Sequence, residues 1–202
     1  MPDVQTIFQQ LRSHRQAKSY GSLVVGVVTN SDDRVPDVLS SLGLHVGSIR
    51  YGSDPALPRL NAKENYDIEF SVMSFDVGHE KPDPQIFKAA EEMLKTEKLD
   101  LPSEIDTDPS AWQKIYVGDE YSKDVVGSLN AGWNAVLIAP HEQVNQHSDV
   151  EWLDDEPSAN LLERFDSPTA SVGFSTLGKL ADWLPQEASG PPGVMDVKSP
   201  SV

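Results

Sequence analysis

Three short segments of this sequence carry side chains suited to a phosphate and a divalent cation. They are Thr29-Asn30-Ser31-Asp32, Lys81-Pro82-Asp83-Pro84, and Gly118-Asp119-Glu120-Tyr121-Ser122-Lys123-Asp124. Each follows or flanks a run that reads as a β-strand. A hydroxyl at a strand end, beside the start of a helix, makes a good anion site. Thr29 can donate from its side chain, and the backbone N–H groups of Asn30 and Ser31 can point the same way. Lys81 precedes two prolines that stiffen the chain and limit where the ammonium points. A fixed ammonium beside a phosphoryl group stabilises charge in phosphoryl transfer. Asp119 and Asp124 bracket a tight turn from strand to helix. Carboxylates of this kind suit Mg²⁺, which takes one or two of them and keeps waters.

Each segment also has a plainer reading. Thr-Asn pairs often do no more than leave a strand and cap the next helix. Lys81, taken alone, is a solvated loop lysine. Asp124 reads equally as a helix N-cap, and Glu120 as a third acidic group or an exposed one.

Strands and helices must bring these segments together. Val4, Ile7, Phe8 and Leu11 recur at helical spacing, so residues 3–18 read as an amphipathic helix. Leu23 to Val28 is an apolar, β-branched run that suits a strand buried on both faces of a parallel sheet. Asp32 or Asp33 is placed to cap a following helix, with Pro36 in its first turn and Gly43 past its end. Further strands are expected at 69–74, 114–117, 134–138 and 171–174. Further helices are expected at 84–94, where Ile86, Phe87, Ala90 and Leu94 share a face, at 124–131, closed by Gly132, and at 176–184. Residues 50–66, 96–112 and 141–168 read as exposed or acidic loop insertions in a core spanning 3–184. Residues 185–202 read as a disordered tail. Alternating strands and helices imply a parallel α/β sheet. Ligands bind such sheets at the carboxyl ends of the strands, where Thr29 and Asp119 fall.

The chain has 202 residues, enough for one domain with a real core. Its formal net charge is −16. That balance disfavours nucleic acid, which needs a basic stripe, and anionic membranes. It also repels a phosphorylated substrate, so local cations must act within the roughly 8 Å screening length of physiological salt. There are no cysteines, which excludes disulfides, thiolate catalysis and cysteine zinc sites and is compatible with the cytosol or nucleus. No apolar run approaches the ~20 residues of a membrane span, and Met1 leads straight into the polar helix.

The ordered combination is more specific than its parts. Thr29-Asn30 after a strand, then Glu80-Lys81-Pro82-Asp83-Pro84-Gln85-Ile86-Phe87, then Tyr116-Val117-Gly118-Asp119, with Ala131-Gly132-Trp133 after the next helix, resembles the second to fourth motifs of the haloacid dehalogenase-like (HAD) hydrolase superfamily. The resemblance covers roughly residues 4–140 and is nearest to a fungal-type branch with long insertions. It implies a Rossmann-like parallel sheet and Mg²⁺-dependent hydrolysis of a small phosphorylated metabolite. Thr29 and Asn30 would bind the phosphate, Lys81 would stabilise it, and Asp119 would hold Mg²⁺ with Asp124 in support.

The sequence departs from that pattern in one respect. Family members begin with a strand ending in D-x-D-x-T, whose first Asp is the nucleophile, and no such segment precedes Thr29. Phe75-Asp76-Val77-Gly78 lacks the second acid and lies between the second and third motifs; His79 beside it reads as a loop residue. The resemblance therefore implies a core without its first central strand and the cap inserted after it. Two apolar strand edges would be left for another segment to close, and the expectation is an incomplete N-terminus. Covalent transfer through Asp is then unavailable. Three readings follow: a hydrolase domain inactive as this chain, a catalytically dead module that binds a phosphate ligand or a partner, and an acidic α/β protein whose motifs are structural relics.

Overall fold

The computed structural model describes residues 2–17, 22–54, 60, 64–96, 99, 101, 103, 105–140, 146–156, 160–165 and 169–184. The expected tail and parts of the three insertions lie outside them. Among the described residues seven strands run as β1 (Gly26–Thr29), β2 (Val46–Arg50), β3 (Ile68–Met73), β4 (Ile115–Gly118), β5 (Asn134–Ile138), β6 (Glu151–Trp152) and β7 (Ser171–Phe174). All pair in parallel, in two sheets of order β1-β3-β2 and β4-β5-β7-β6. The expected α/β class with parallel strands is therefore observed. β1 and β4 are end strands of separate sheets.

Among the described residues six α-helices accompany them: α1 (Pro2–Ala17), α2 (Val35–Ser41), α3 (Ser74–Val77), α4 (Pro84–Leu94), α5 (Val126–Asn130) and α6 (Leu177–Ala181). α4 buries Ile86, Phe87, Ala89, Ala90, Met93 and Leu94. This stripe packs with Val28, Ile49, Phe70 and Val72 to form the core of the first sheet. Leu99 joins it, so the 96–112 segment is not wholly an exposed insertion. The second sheet has its own core of Val136, Leu153, Val172, Phe174, Leu180 and Trp183.

Several local expectations are corrected. β1 is shorter than the 23–28 run and is not buried on both faces: Gly26 is exposed and only Val28 is buried. The reason is its place at the end of a sheet. The Val25 carbonyl still accepts the Glu69 N–H at 2.8 Å, but the Val25 N–H goes to the Glu69 carboxylate at 2.8 Å. β2 begins before the expected 50–66 loop and was not expected. Neither Asp32 nor Asp33 caps α2, whose N-cap is Arg34; Asp32 instead holds the Arg34 guanidinium at 2.8 and 2.9 Å. Gly43 does end that helix, at φ +88°.

α1 joins the two halves. Ile7, Phe8 and Leu11 pack into the second sheet's core. From the same helix, Arg12 pairs with Asp67 at 3.1 Å and Arg15 with Glu69 at 2.9 Å, both at the start of β3. Arg15 also donates to the carbonyls of Leu23 and Tyr66 at 3.2 and 2.6 Å. Asp67 accepts the His45 N–H at 2.8 Å.

Burial pushes Glu69 up to about 7, against the opposing effects of Arg15 and the Val25 amide and with Asp67 adding to the rise. The folded state therefore holds the Glu69 proton more tightly than the unfolded chain does. The associated stability is fully present below the unfolded value of 4.5 and is lost as pH rises through about 7. That loss is about 3 kcal/mol. Thermal melts of wild type and Glu69→Gln across pH 4–8 should diverge, with the wild type losing a component that the Gln variant keeps. Parallel profiles would contradict this assignment.

Candidate functional site

The site lies where β1 and β4 end. The side-chain amide of Asn30 clasps the backbone of Lys81: Nδ2 donates to the Lys81 carbonyl at 3.0 Å, and the Lys81 N–H donates to Oδ1 at 2.7 Å. Two hydrogen bonds in one plane fix the lysine's backbone against β1. Its ammonium then donates to Asp124 Oδ1 at 2.7 Å and to Tyr116 Oη at 2.6 Å. Tyr116 donates onward to the Val28 carbonyl at 2.8 Å, which bridges β4 to β1. Lys81 is not a solvated loop lysine: its side chain is 11% exposed and that of Asp124 is 5% exposed.

Asp124 is bound on both oxygens. Oδ2 accepts the N–H groups of Asp119 at 3.0 Å and Glu120 at 2.9 Å. It lies inside a π-helical turn, Tyr121–Val125, that precedes α5, so it pins the strand-to-helix turn from within rather than capping a helix start. Gly118 makes room for it, because a Cβ there would overlap the Asp124 carboxyl group. Burial works against a charged Lys81, but Tyr116 and Asp124 outweigh it and hold the ammonium above the ordinary lysine range. Burial also pushes the Tyr116 phenol up, Lys81 opposing, so it remains neutral.

Thr29 is half-buried at the end of β1, next to Asn30. The carboxamide of Asn30 is committed to Lys81. Asp119 stands exposed at the end of β4. Glu120 is exposed and pairs with Lys123 at 3.0 Å. Among the described residues no group of three or more His, Asp or Glu is gathered to hold a metal. The donor set would suit an ion that takes a single protein carboxylate: Asp119 could supply it, and Asp124 fixes the Asp119 backbone.

The lookalike nucleophile is accounted for otherwise. Asp76, in α3, takes both its oxygens to the Arg50 guanidinium, with Nε at 2.7 Å. α3 is tied to the turn after β1 by Phe75 N–H to the Ser31 carbonyl at 3.3 Å. His79 pairs with Asp83 at 2.8 Å, and Asp83 caps α4 by accepting the Gln85 N–H at 2.9 Å. Reasoning from sequence missed Tyr116 and the Arg50–Asp76 pair. A phenol within an apolar strand was the available signal for the first, since a buried Tyr hydroxyl finds a partner.

No protein-family model matches the chain. Curated proteins do. An uncharacterized hydrolase of Schizosaccharomyces pombe is 29% identical over 125 residues, 62% of this chain and 42% of that protein. Haloacid dehalogenase-like hydrolase domain-containing protein 3 of Mus musculus is 30% identical over 123 residues, 61% of this chain and 36% of that protein. The chain is thus similar to one protein named as a hydrolase and to one named as a haloacid dehalogenase-like (HAD) hydrolase domain-containing protein. The rhythmically expressed gene 2 protein of Drosophila melanogaster is 34% identical over 92 residues, 45% of this chain and 31% of that one. The matched region of this chain thus spans less than half the length of each curated protein. Among solved structures, a HAD phosphatase from Thermococcus onnurineus aligns at TM-score 0.47 and 22% identity, over 89% of this chain and 55% of that one.

Removing Asp124 would leave a buried ammonium with one neutral partner. Asp124→Ala should lower stability by about 3 kcal/mol in urea unfolding. Asp119→Ala, at an exposed carboxylate, should leave the midpoint nearly unchanged. Equal effects of the two substitutions would contradict these roles.

Proposed function

We propose that this chain binds the phosphoryl group of a small phosphorylated metabolite at the ends of β1 and β4, as the phosphate-holding part of a HAD-like hydrolase site. The observation that supports this is the Lys81 ammonium, fixed at both ends beside the strand that carries Thr29. An ammonium has three N–H donors. Asp124 and Tyr116 take two. The third is assigned to a phosphoryl oxygen, together with the Thr29 hydroxyl and the backbone amides after β1. Asn30 contributes by holding Lys81 rather than through its carboxamide.

Mg²⁺ is the cofactor assigned to Asp119, with Asp124 in support, and when bound it would neutralise charge on the phosphoryl oxygens. The chain's own residues orient and neutralise the phosphate and hold no proton for transfer. No covalent step is assigned, because Asp76 is engaged by Arg50 and no D-x-D-x-T segment occurs in the 202 residues. This engagement also supports the second reading, a module that binds phosphate ligands without turning them over.

Inorganic phosphate titrated into the chain should shift backbone NMR signals at Thr29–Ser31 and Lys81, more strongly with Mg²⁺ present. Lys81→Ala should weaken that binding about tenfold or more. Hydrolysis of an aryl phosphate should be little or none. Absence of Lys81-dependent binding would overturn the phosphate reading, and robust turnover lost in Asp119→Ala would overturn the assignment of no covalent step.

A further inference from the structure

We propose that Tyr116 is a positioning residue for Lys81, holding its ammonium in one frame with β1 and Thr29 by an oriented hydrogen-bond chain from Lys81 through the phenol to the Val28 carbonyl. The proposal rests on the phosphate reading of the site.

The direction of the chain follows from donor chemistry. An ammonium only donates, so at 2.6 Å the phenol oxygen must accept. The phenol's single proton then goes to the Val28 carbonyl at 2.8 Å. Tyr116 therefore has no proton to offer a ligand, and its role is to hold the lysine. The ring cannot drift, because Phe87 of α4 packs edge-on against it with centroids 5.3 Å apart. The Lys81 ammonium nitrogen lies 5.0 Å from the ring centroid, as its hydrogen bond to the phenol oxygen requires.

A lysine stem is flexible and its ammonium is a point charge, so position depends on what grips each end. Asn30 grips the backbone end directly from the residue after β1. Val28 grips the ammonium end through Tyr116. The grips originate on β1, at Val28, and on the residue that directly follows it, Asn30. Asp124, by contrast, ties the ammonium to the turn after β4. With Tyr116 replaced by Phe, the ammonium keeps only that tie, while the ring still fills its space.

The test compares wild type, Tyr116→Phe and Lys81→Arg in the 202-residue chain by NMR of the lysine ammonium. Wild type should show a slowly exchanging ammonium signal, absent in Lys81→Arg, with cross-relaxation to the Tyr116 ring. In Tyr116→Phe its exchange should accelerate about tenfold and inorganic phosphate should bind about fivefold more weakly, with the circular dichroism spectrum unchanged. Unchanged exchange and affinity in a folded Tyr116→Phe would overturn the proposal. If that variant does not fold, the wild-type cross-relaxation decides: its presence supports the proposal and its absence overturns it. If wild type binds no phosphate, the reading of the site fails, while the ammonium signals still decide the role of Tyr116.

Discussion

A buried ammonium must be paired, and meeting that demand for Lys81 organises the end of the molecule where the strands finish. The pairing with Asp124 explains why Gly118 carries no side chain and why the turn after β4 is wound as it is. It explains why the amides of Asp119 and Glu120 face inward to the same carboxylate. Through Asn30 and Tyr116 the lysine also reaches β1, so one cation ties two sheets that do not share a ladder. A low local dielectric makes such a network costly when incomplete and rigid when complete.

The opposite ends of the strands are tied by a different device. There α1 lays its apolar face on the second sheet and sends Arg12 and Arg15 to Asp67 and Glu69 of the first. The two ties differ in character. Arg15 also satisfies two backbone carbonyls and shields a carboxylate that burial pushes toward neutrality. Lys81 is held charged, which is what a phosphate-binding role needs. The apolar cores of the two sheets can therefore be largely separate while the strand ends keep their relative placement.

Much of this was legible in the sequence because local pattern and local structure agree. The apolar spacing of α4, the strand at 114–117 and the glycine closing α5 all report on their neighbours along the chain. The strand-end positions of Thr29 and Asp119 followed from the same pattern. What was not legible depends on contacts between distant residues. Val46–Arg50 contains a glycine and an arginine, and becomes a strand only because β3 is beside it. Arg15 meets Tyr66 across 51 residues of sequence, and Tyr116 meets Val28 across 88. Carboxylate spacing says nothing of which oxygens are engaged, so the hydrogen bonds on both oxygens of Asp124 are not legible in the sequence. The clasp of Asn30 on Lys81 joins two segments 51 residues apart, which local pattern does not report.

The central claim is that the cation tying the two sheets also receives a phosphoryl group. Its most direct test is an anomalous difference map from crystals of the chain soaked in tungstate, a heavy phosphate mimic. The account predicts a peak within hydrogen-bonding distance of Lys81 Nζ and the Thr29 hydroxyl, lost in crystals of Lys81→Ala. A peak elsewhere, or none at the ends of β1 and β4 in well-diffracting crystals, would contradict it.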